Sequence, residues 1–198
     1  MSFYSLTSYS QLRVNQTALS GGTPTPPSFA DTKSFQFDGI TDYIDCGDFS
    51  AYDNGDLSVS AWVYKTTTTG VPERVISNSG SSSKAGIDIS IDRNENVTVI
   101  RNTRTSDTNP GWVNIGFTLN NWHHISATYK DSTRTLKIYL DGVLRHTKIG
   151  NVSTNSASIP LSIGCYSNGV SQFWQGNIDE VSLYNAELSQ SDILSIFN

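Results

Sequence analysis

Residues 122–146 carry the clearest hydrophobic pattern in the chain. Ile125, Ala127 and Tyr129 alternate with Ser126 and Thr128, the period of two of a half-buried strand. A polar break at 130–133 follows, and Leu136, Ile138 and Leu140 resume the alternation. Asp141-Gly142 then stands between two strand-like runs. A type I′ turn needs positive φ at both central positions and selects such a pair. That turn sets Leu140 beside Val143 and Ile138 beside Arg145 on one face, with Tyr139 beside Leu144 on the other. Both faces carry apolar groups, so the ribbon is expected to be covered on each side.

The same alternation recurs along the chain. In 57–64, Leu57, Val59, Ala61 and Val63 share one face and Ser58, Ser60, Trp62 and Tyr64 the other. Short strands are predicted at 34–38 and 43–46, with Phe35 and Phe37 on a common core face and a turn at 39–42. Further strands are predicted at 74–77, 87–91, 97–100 and 112–117, with turn chemistry at 94–96 and an aperiodic polar loop at 101–110. A longer strand is predicted at 173–184. A short helix follows, with Ser189 and Asp192 spaced as a capping box and Leu188 and Ile193 as a hydrophobic staple. Ile193, Ile196 and Phe197 give that helix an apolar stripe. Many short strands at regular spacing are the rhythm of a sandwich or jelly roll.

Composition narrows the classes. A chain of 198 residues suits one well-buried domain. A net charge of −5 with 16% charged residues argues against a nucleic-acid partner. No apolar run approaches the roughly 20 residues of a membrane helix, so no membrane span is expected. The opening MSFYSLTSYSQLRV lacks the basic start and apolar core of a signal peptide. Residues 1–30 hold one charge, Arg13, and lead into the linker GGTPTPPS. They read either as a loosely packed terminus or as an arm that docks the domain onto other structural proteins, with Tyr4, Leu6, Tyr9, Leu12 and Val14 as apolar purchase.

The run at 122–146 resembles the strand-hairpin core of laminin G-like domains, in the concanavalin A-like lectin and glucanase superfamily. Three more stretches fit that family in order: SFQFDGITDYIDCG, LSVSAWVY, and LSIGCY followed by FWQGNIDEVSLYNAELSQSDI. The resemblance covers roughly residues 31–198. It implies an all-β fold, a jelly-roll β-sandwich of two antiparallel sheets with a short C-terminal helix, preceded by the arm at 1–30. It is specific for fold and not for ligand.

Several residues carry candidate chemistry. Strand alternation sets Asp179 on the face of Val181 and Leu183, where a carboxylate needs pairing, hydrogen bonds or a metal. Calcium takes six to eight oxygens and would suit it, with Asp38, Gly39 and Asp42 of the 38–42 turn as a second source. Many members of the resembled superfamily hold a structural calcium ion between such a turn and a C-terminal Asp. The competing reading is that Asp179 only accepts backbone amides. The denser acidic cluster of a paired-calcium site is missing.

Trp62 and Trp122 lie opposite the apolar faces of their strands. Either loops or the C-terminal helix cover them, or they form a platform on which a sugar ring stacks while nearby amides and hydroxyls bind its hydroxyl groups. Trp112, Tyr166 and Trp174 are further platform candidates, with Tyr64, Asn168 and Gln172 as polar partners. His123 and His124 are adjacent on a strand and so point to opposite faces, which fits a structural role. Cys46 and Cys165 are expected to be free, buried thiols. A disulfide would need their Cα atoms within about 7 Å.

Catalysis finds less support. The E-x-D-x-x-E run of the superfamily's glucanases is missing, and the chain has only Glu73, Glu95, Glu180 and Glu187. Asp88 and Asp92 could supply a retaining pair about 5 Å apart, yet nothing singles them out. The expectation is a non-enzymatic binding module for carbohydrate or a glycosylated cell surface, with a structural calcium ion as an option. The alternative is a structural or appendage protein of a virus particle or cell surface that uses the fold for assembly. Both place the protein facing the exterior or on a virion rather than in the cytoplasm.

Overall fold

The computed structural model describes residues 13–15, 34–48, 55–78, 87–101, 113–150, 160–166 and 169–198, with 13–15 and 98–101 described by backbone alone. The strands are β1 (Arg13–Asn15), β2 (Phe35–Asp38), β3 (Ile44–Asp45), β4 (Leu57–Tyr64), β5 (Glu73–Ser77) and β6 (Ile87–Ile91). They continue as β7 (Val97–Arg101), β8 (Trp122–Lys130), β9 (Thr135–Leu140), β10 (Val143–Ile149), β11 (Ser162–Ile163) and β12 (Gln175–Tyr184), before the single described helix α1 (Gln190–Phe197). A seven-stranded sheet runs β1-β12-β4-β8-β9-β10, with β2 also on β12, and a five-stranded sheet runs β3-β11-β5-β6-β7. Neighbours are antiparallel except β1, which lies parallel to β12.

The alternation explains the core. Leu57, Val59, Ala61 and Val63 of β4 point inward with Ile125, Ala127 and Tyr129 of β8 and Leu136, Ile138 and Leu140 of β9. Val75, Ile89, Val97 and Ile163 meet them from the smaller sheet. Phe37 joins this core and Phe35 packs against it, as their shared face predicts. Asp141 and Gly142 have φ of 51° and 72°, so the type I′ turn forms where the Asp-Gly pair stands. The capping box at Ser189 and Asp192 is present, and Leu188 and Ile193 are buried together.

Four expectations need correction. The run at 112–117 makes an isolated bridge, Val113 to Val97, and no strand. Asn114 Oδ1 accepts the Gly116 amide at 3.0 Å, and Gly116 has a φ of 88°, so the extended chain breaks there while Ile115 and Phe117 still reach the core. In the hairpin, a bulge between Leu144 and His146 sets His146 rather than Arg145 opposite Ile138. The ribbon is covered on both sides only as far as β9: Tyr139 is buried, but Val143 and Leu144 of β10 are 50% and 43% exposed.

The fourth correction concerns β12. Ile178 faces Val63 and Leu183 faces Val59, but the register shifts between Asp179 and Ser182, with Glu180 at a φ of 46°. This bulge inserts one residue, and counting alternation through it inverts the face. Asp179 therefore stands opposite Trp62, away from the core.

Candidate functional site

The second face of the seven-stranded sheet is covered for part of its length. Leu188 donates its amide to Ser58 Oγ at 2.9 Å, and Ser58 Oγ donates to the Ala186 carbonyl at 2.7 Å. Those bonds bring α1 onto the sheet, where Leu188 and Ile193 pack on Tyr139. At the far end of the helix Phe197 stacks on Trp62, with ring centroids 5.5 Å apart and planes at 26°. His124 lies 5.3 Å from Trp62 and 6.0 Å from Phe197. Burial pushes the His124 imidazole down to about 4, against the pull of the Asp141 charge.

Beyond Trp62 the face opens. Gln36 of β2 pairs with Asn177 of β12, Asn177 with Tyr64 of β4, and Tyr64 with Trp122 of β8. Side chains in cross-strand register point the same way. Two amides, a phenol and an indole thus stand abreast on four adjacent strands, across roughly 14 Å at the usual strand spacing. Tyr64 and Trp122 have centroids 5.6 Å apart at 43°, and Trp122 is 42% exposed. Asn177 Nδ2 donates to Ser34 Oγ at 3.0 Å, which holds one end of that amide.

The end of the row is firmly built from behind. Lys65, next after Tyr64, turns inward, is fully buried, and pairs with Glu73 at the start of β5. Its ammonium also donates to the Gln175 carbonyl at 3.3 Å and lies 4.5 Å from the centre of the Trp174 ring. Burial lowers the Lys65 pKa, with Glu73 opposing. Glu73 in turn accepts the Gln175 amide at 2.7 Å and the Thr69 amide at 3.2 Å. On the other flank Asp141 takes the His124 amide at 2.9 Å, and its second oxygen lies 2.8 Å from His123 Nδ1. His123 and His124 do point to opposite faces, with His123 against Phe117 at 5.0 Å.

The predicted platform residues therefore separate. Tyr64 and Trp122 meet in the row, and Trp62 lies next to it under Phe197. Trp174 is 0% exposed and belongs to the core, so it cannot serve as a platform. Tyr166 and Gln172 lie beside β5, where the Arg74 guanidinium stands 5.2 Å from the Tyr166 ring and the Arg74 amide donates to the Gln172 carbonyl. Trp112 and Asn168 lie outside the described residues. Gln36 and Asn177 escaped the sequence reading, because only the β2–β12–β4 register reveals that they flank Tyr64.

The predicted calcium ligands do not converge. Asp38 Oδ1 accepts the amides of Ile40, Thr41 and Asp42 at 2.8, 2.9 and 3.1 Å, while Asp42 Oδ2 accepts the Asp38 amide at 3.1 Å. Slight burial works upward on the Asp38 carboxyl, but these amides together hold it below its usual pKa. Gly39, at a φ of 76°, closes the turn against Gln175. Asp38 pairs with Gln175, four residues along β12 from Asp179, which separates the two carboxylates by roughly 13 Å. Asp38, Gly39, Asp42 and Asp179 thus do not fit one ion, and among the described residues no cluster of three His, Cys, Asp or Glu could hold a metal. Cys46 and Cys165 are free thiols, and burial raises the pKa of both, that of Cys46 to about 12. No helix among the described residues is long and apolar enough to cross a membrane.

The family model of the concanavalin A-like lectin/glucanases superfamily, in a laminin G form, matches residues 38–194. No curated protein matches. Among solved structures, Trypanosoma rangeli sialidase in complex with 2,3-difluorosialic acid is 21% identical with a TM-score of 0.55, over 74% of this chain and 23% of that one. The K499G mutant of NanB sialidase from Streptococcus pneumoniae is 15% identical with a TM-score of 0.64, over 81% of this chain and 27% of that one. NanB with Optactamide gives the same identity and TM-score. At these identities the likeness shows the fold, and this chain spans about a quarter of each sialidase.

Proposed function

The chain belongs to the concanavalin A-like lectin/glucanases superfamily, and on that premise we propose that it is a non-catalytic module that binds carbohydrate through the row Gln36, Asn177, Tyr64 and Trp122. The observation that carries this reading is the exposed Trp122 ring beside Tyr64 on the part of the sheet face that α1 leaves open. An aromatic face offers the C–H side of a sugar ring a dry, polarisable surface, and flanking amides donate to and accept from its hydroxyl groups. Asn177 and Gln36 stand in register to do so. The row is fixed by the sheet ladder, so little ordering is required on binding.

The non-catalytic part rests on the fate of the carboxylates considered for hydrolysis. Asp88 is buried against Arg74, with Ser77 and Ser90 donating to it. Asp92 accepts the amides of Asn94 and Asn96 at 2.7 and 2.9 Å and closes its own turn. Neither faces the row.

The test is a glycan array with the wild-type protein and Trp122→Ala, in calcium and in EDTA. Trp122→Ala is expected to weaken binding about tenfold, the loss of roughly 1.4 kcal/mol of stacking. A blank array from the folded wild-type protein, or equal binding by the variant, refutes the platform. Loss in EDTA would assign an ion to the site.

A further inference from the structure

The charge of the candidate site separates classes of sugar. In the row itself no side chain is ionic. On β2, β12, β4 and β8 the positions that flank it on the same face are Asp38, Gln175, Asp179, Trp62 and His124. Among these described residues there is no lysine or arginine. Asp38 is ionised at neutral pH, and its carboxylate accepts from the Ile40, Thr41 and Asp42 amides and the Thr41 hydroxyl, all neutral donors. The cation closest in sequence, Lys65, is buried behind the sheet against Glu73.

Two further features have the same sign. Asp141 fixes the His124 end, and the buried His124 ring is neutral at pH 7. Helix α1 ends at Phe197, whose ring stacks on Trp62 beside the row, and its last turn holds no basic residue. A helix C-terminus carries partial negative charge that repels anions. An anionic sugar placed on Trp122 would meet fixed negative charge, and the described residues of the row and its flanking positions hold no donor cation to offset its desolvation.

We propose that this row selects uncharged or amine-bearing saccharides and rejects carboxylated and sulfated ones. The selection rests on the row being the carbohydrate site. At a separation of about 8 Å in water, one unit charge on another changes affinity roughly twofold to threefold. Most of that difference should vanish at about 0.5 M salt.

The experiment titrates the full chain, in EDTA, with three probes on one core: a neutral oligosaccharide, its sialylated form and a form with a free amine. At low salt the expected order is amine above neutral above sialylated, with the steps compressed at high salt. Thr66→Lys, a substitution at an exposed position two residues beyond Tyr64 and outside the row, should abolish or reverse the sialyl penalty while leaving the neutral affinity within about twofold. Equal or tighter binding of the sialylated probe by the wild-type protein, still lost in Trp122→Ala, overturns the selection and leaves the platform standing. Failure of all three probes on folded protein overturns the platform and the selection with it.

Discussion

His124 should make the fold acid-sensitive in a defined window. Its ring is buried against the Trp62–Phe197 stack, with Nδ1 3.2 Å from Ser126 Oγ and Asp141 as the facing carboxylate. Burial lowers its pKa from 6.5 to about 4. Between those values the unfolded chain holds a proton that the folded chain lacks. Stability is therefore full above pH 6.5 and is lost as pH falls toward 4, at about 1.4 kcal/mol per pH unit. The whole window is worth about 3 kcal/mol, a large share of the roughly 5–15 kcal/mol typical of a domain. Asp38 and Asp56, both held below 3.8, also lose their contribution in acid, but only below about pH 4. Denaturant melts of the wild type and His124→Phe at pH 7, 6, 5 and 4.5 isolate the histidine by difference. The variant curve should be flatter by the full slope. Parallel curves, or an NMR titration that places His124 near 6.5, would refute the buried neutral ring.

Three further substitutions test how the site is held. Glu73→Gln leaves the Lys65 ammonium buried without its counter-charge and should cost about 3–5 kcal/mol in a denaturant melt; a cost below about 1 kcal/mol would mean that water reaches the pair. Gly176→Ala places a methyl onto the Tyr64 carbonyl oxygen at a φ of 139°, so it should lower thermal stability by far more than a surface Gly→Ala change. Ser189→Ala removes the side-chain half of the capping box, leaving the residue 189 amide on the Asp192 carboxylate, and should cost about 1 kcal/mol. Because α1 seats Phe197 on Trp62, that variant should also shift tryptophan emission, and an unchanged spectrum would show that the cap does not control the stack.

Local chemistry was legible in the sequence and register was not. The 57–64 and 87–91 strands, the Asp-Gly turn and the capping box each depend on a few adjacent residues, and each forms where the pattern sets it. Two of the failures lie at insertions. A bulge at Glu180 reversed the face of Asp179 and with it the premise for a core-facing carboxylate. A second bulge in β10 moved Arg145 out of register. Trp174 stands at the start of the strand predicted at 173–184, close to a predicted loop. It lies just before β12, where Gly176 lets the chain pass close to Tyr64 and the indole stays in the core. The arm at 1–30 lies outside the described residues apart from Arg13–Asn15, which run beside β12.

The location of the row follows from a gradient written twice. Along β4 the outer face reads Ser58, Ser60, Trp62, Tyr64, and along β8 it reads Thr128, Ser126, His124, Trp122. Each strand alone goes from small hydroxyls to large rings, but in opposite chain directions. Antiparallel pairing brings the two small ends together and the two aromatic ends together. The small end leaves room for the C-terminal segment, which Ser58 anchors, so the helix lies there. The aromatic end is too bulky to admit another layer, and α1 stops on Trp62. One residue pair further, Tyr64 and Trp122 have no such cover, and the cross-strand partners Asn177 and Gln36 supply the amides. The residues that end the packing are thus the ones that begin the open surface.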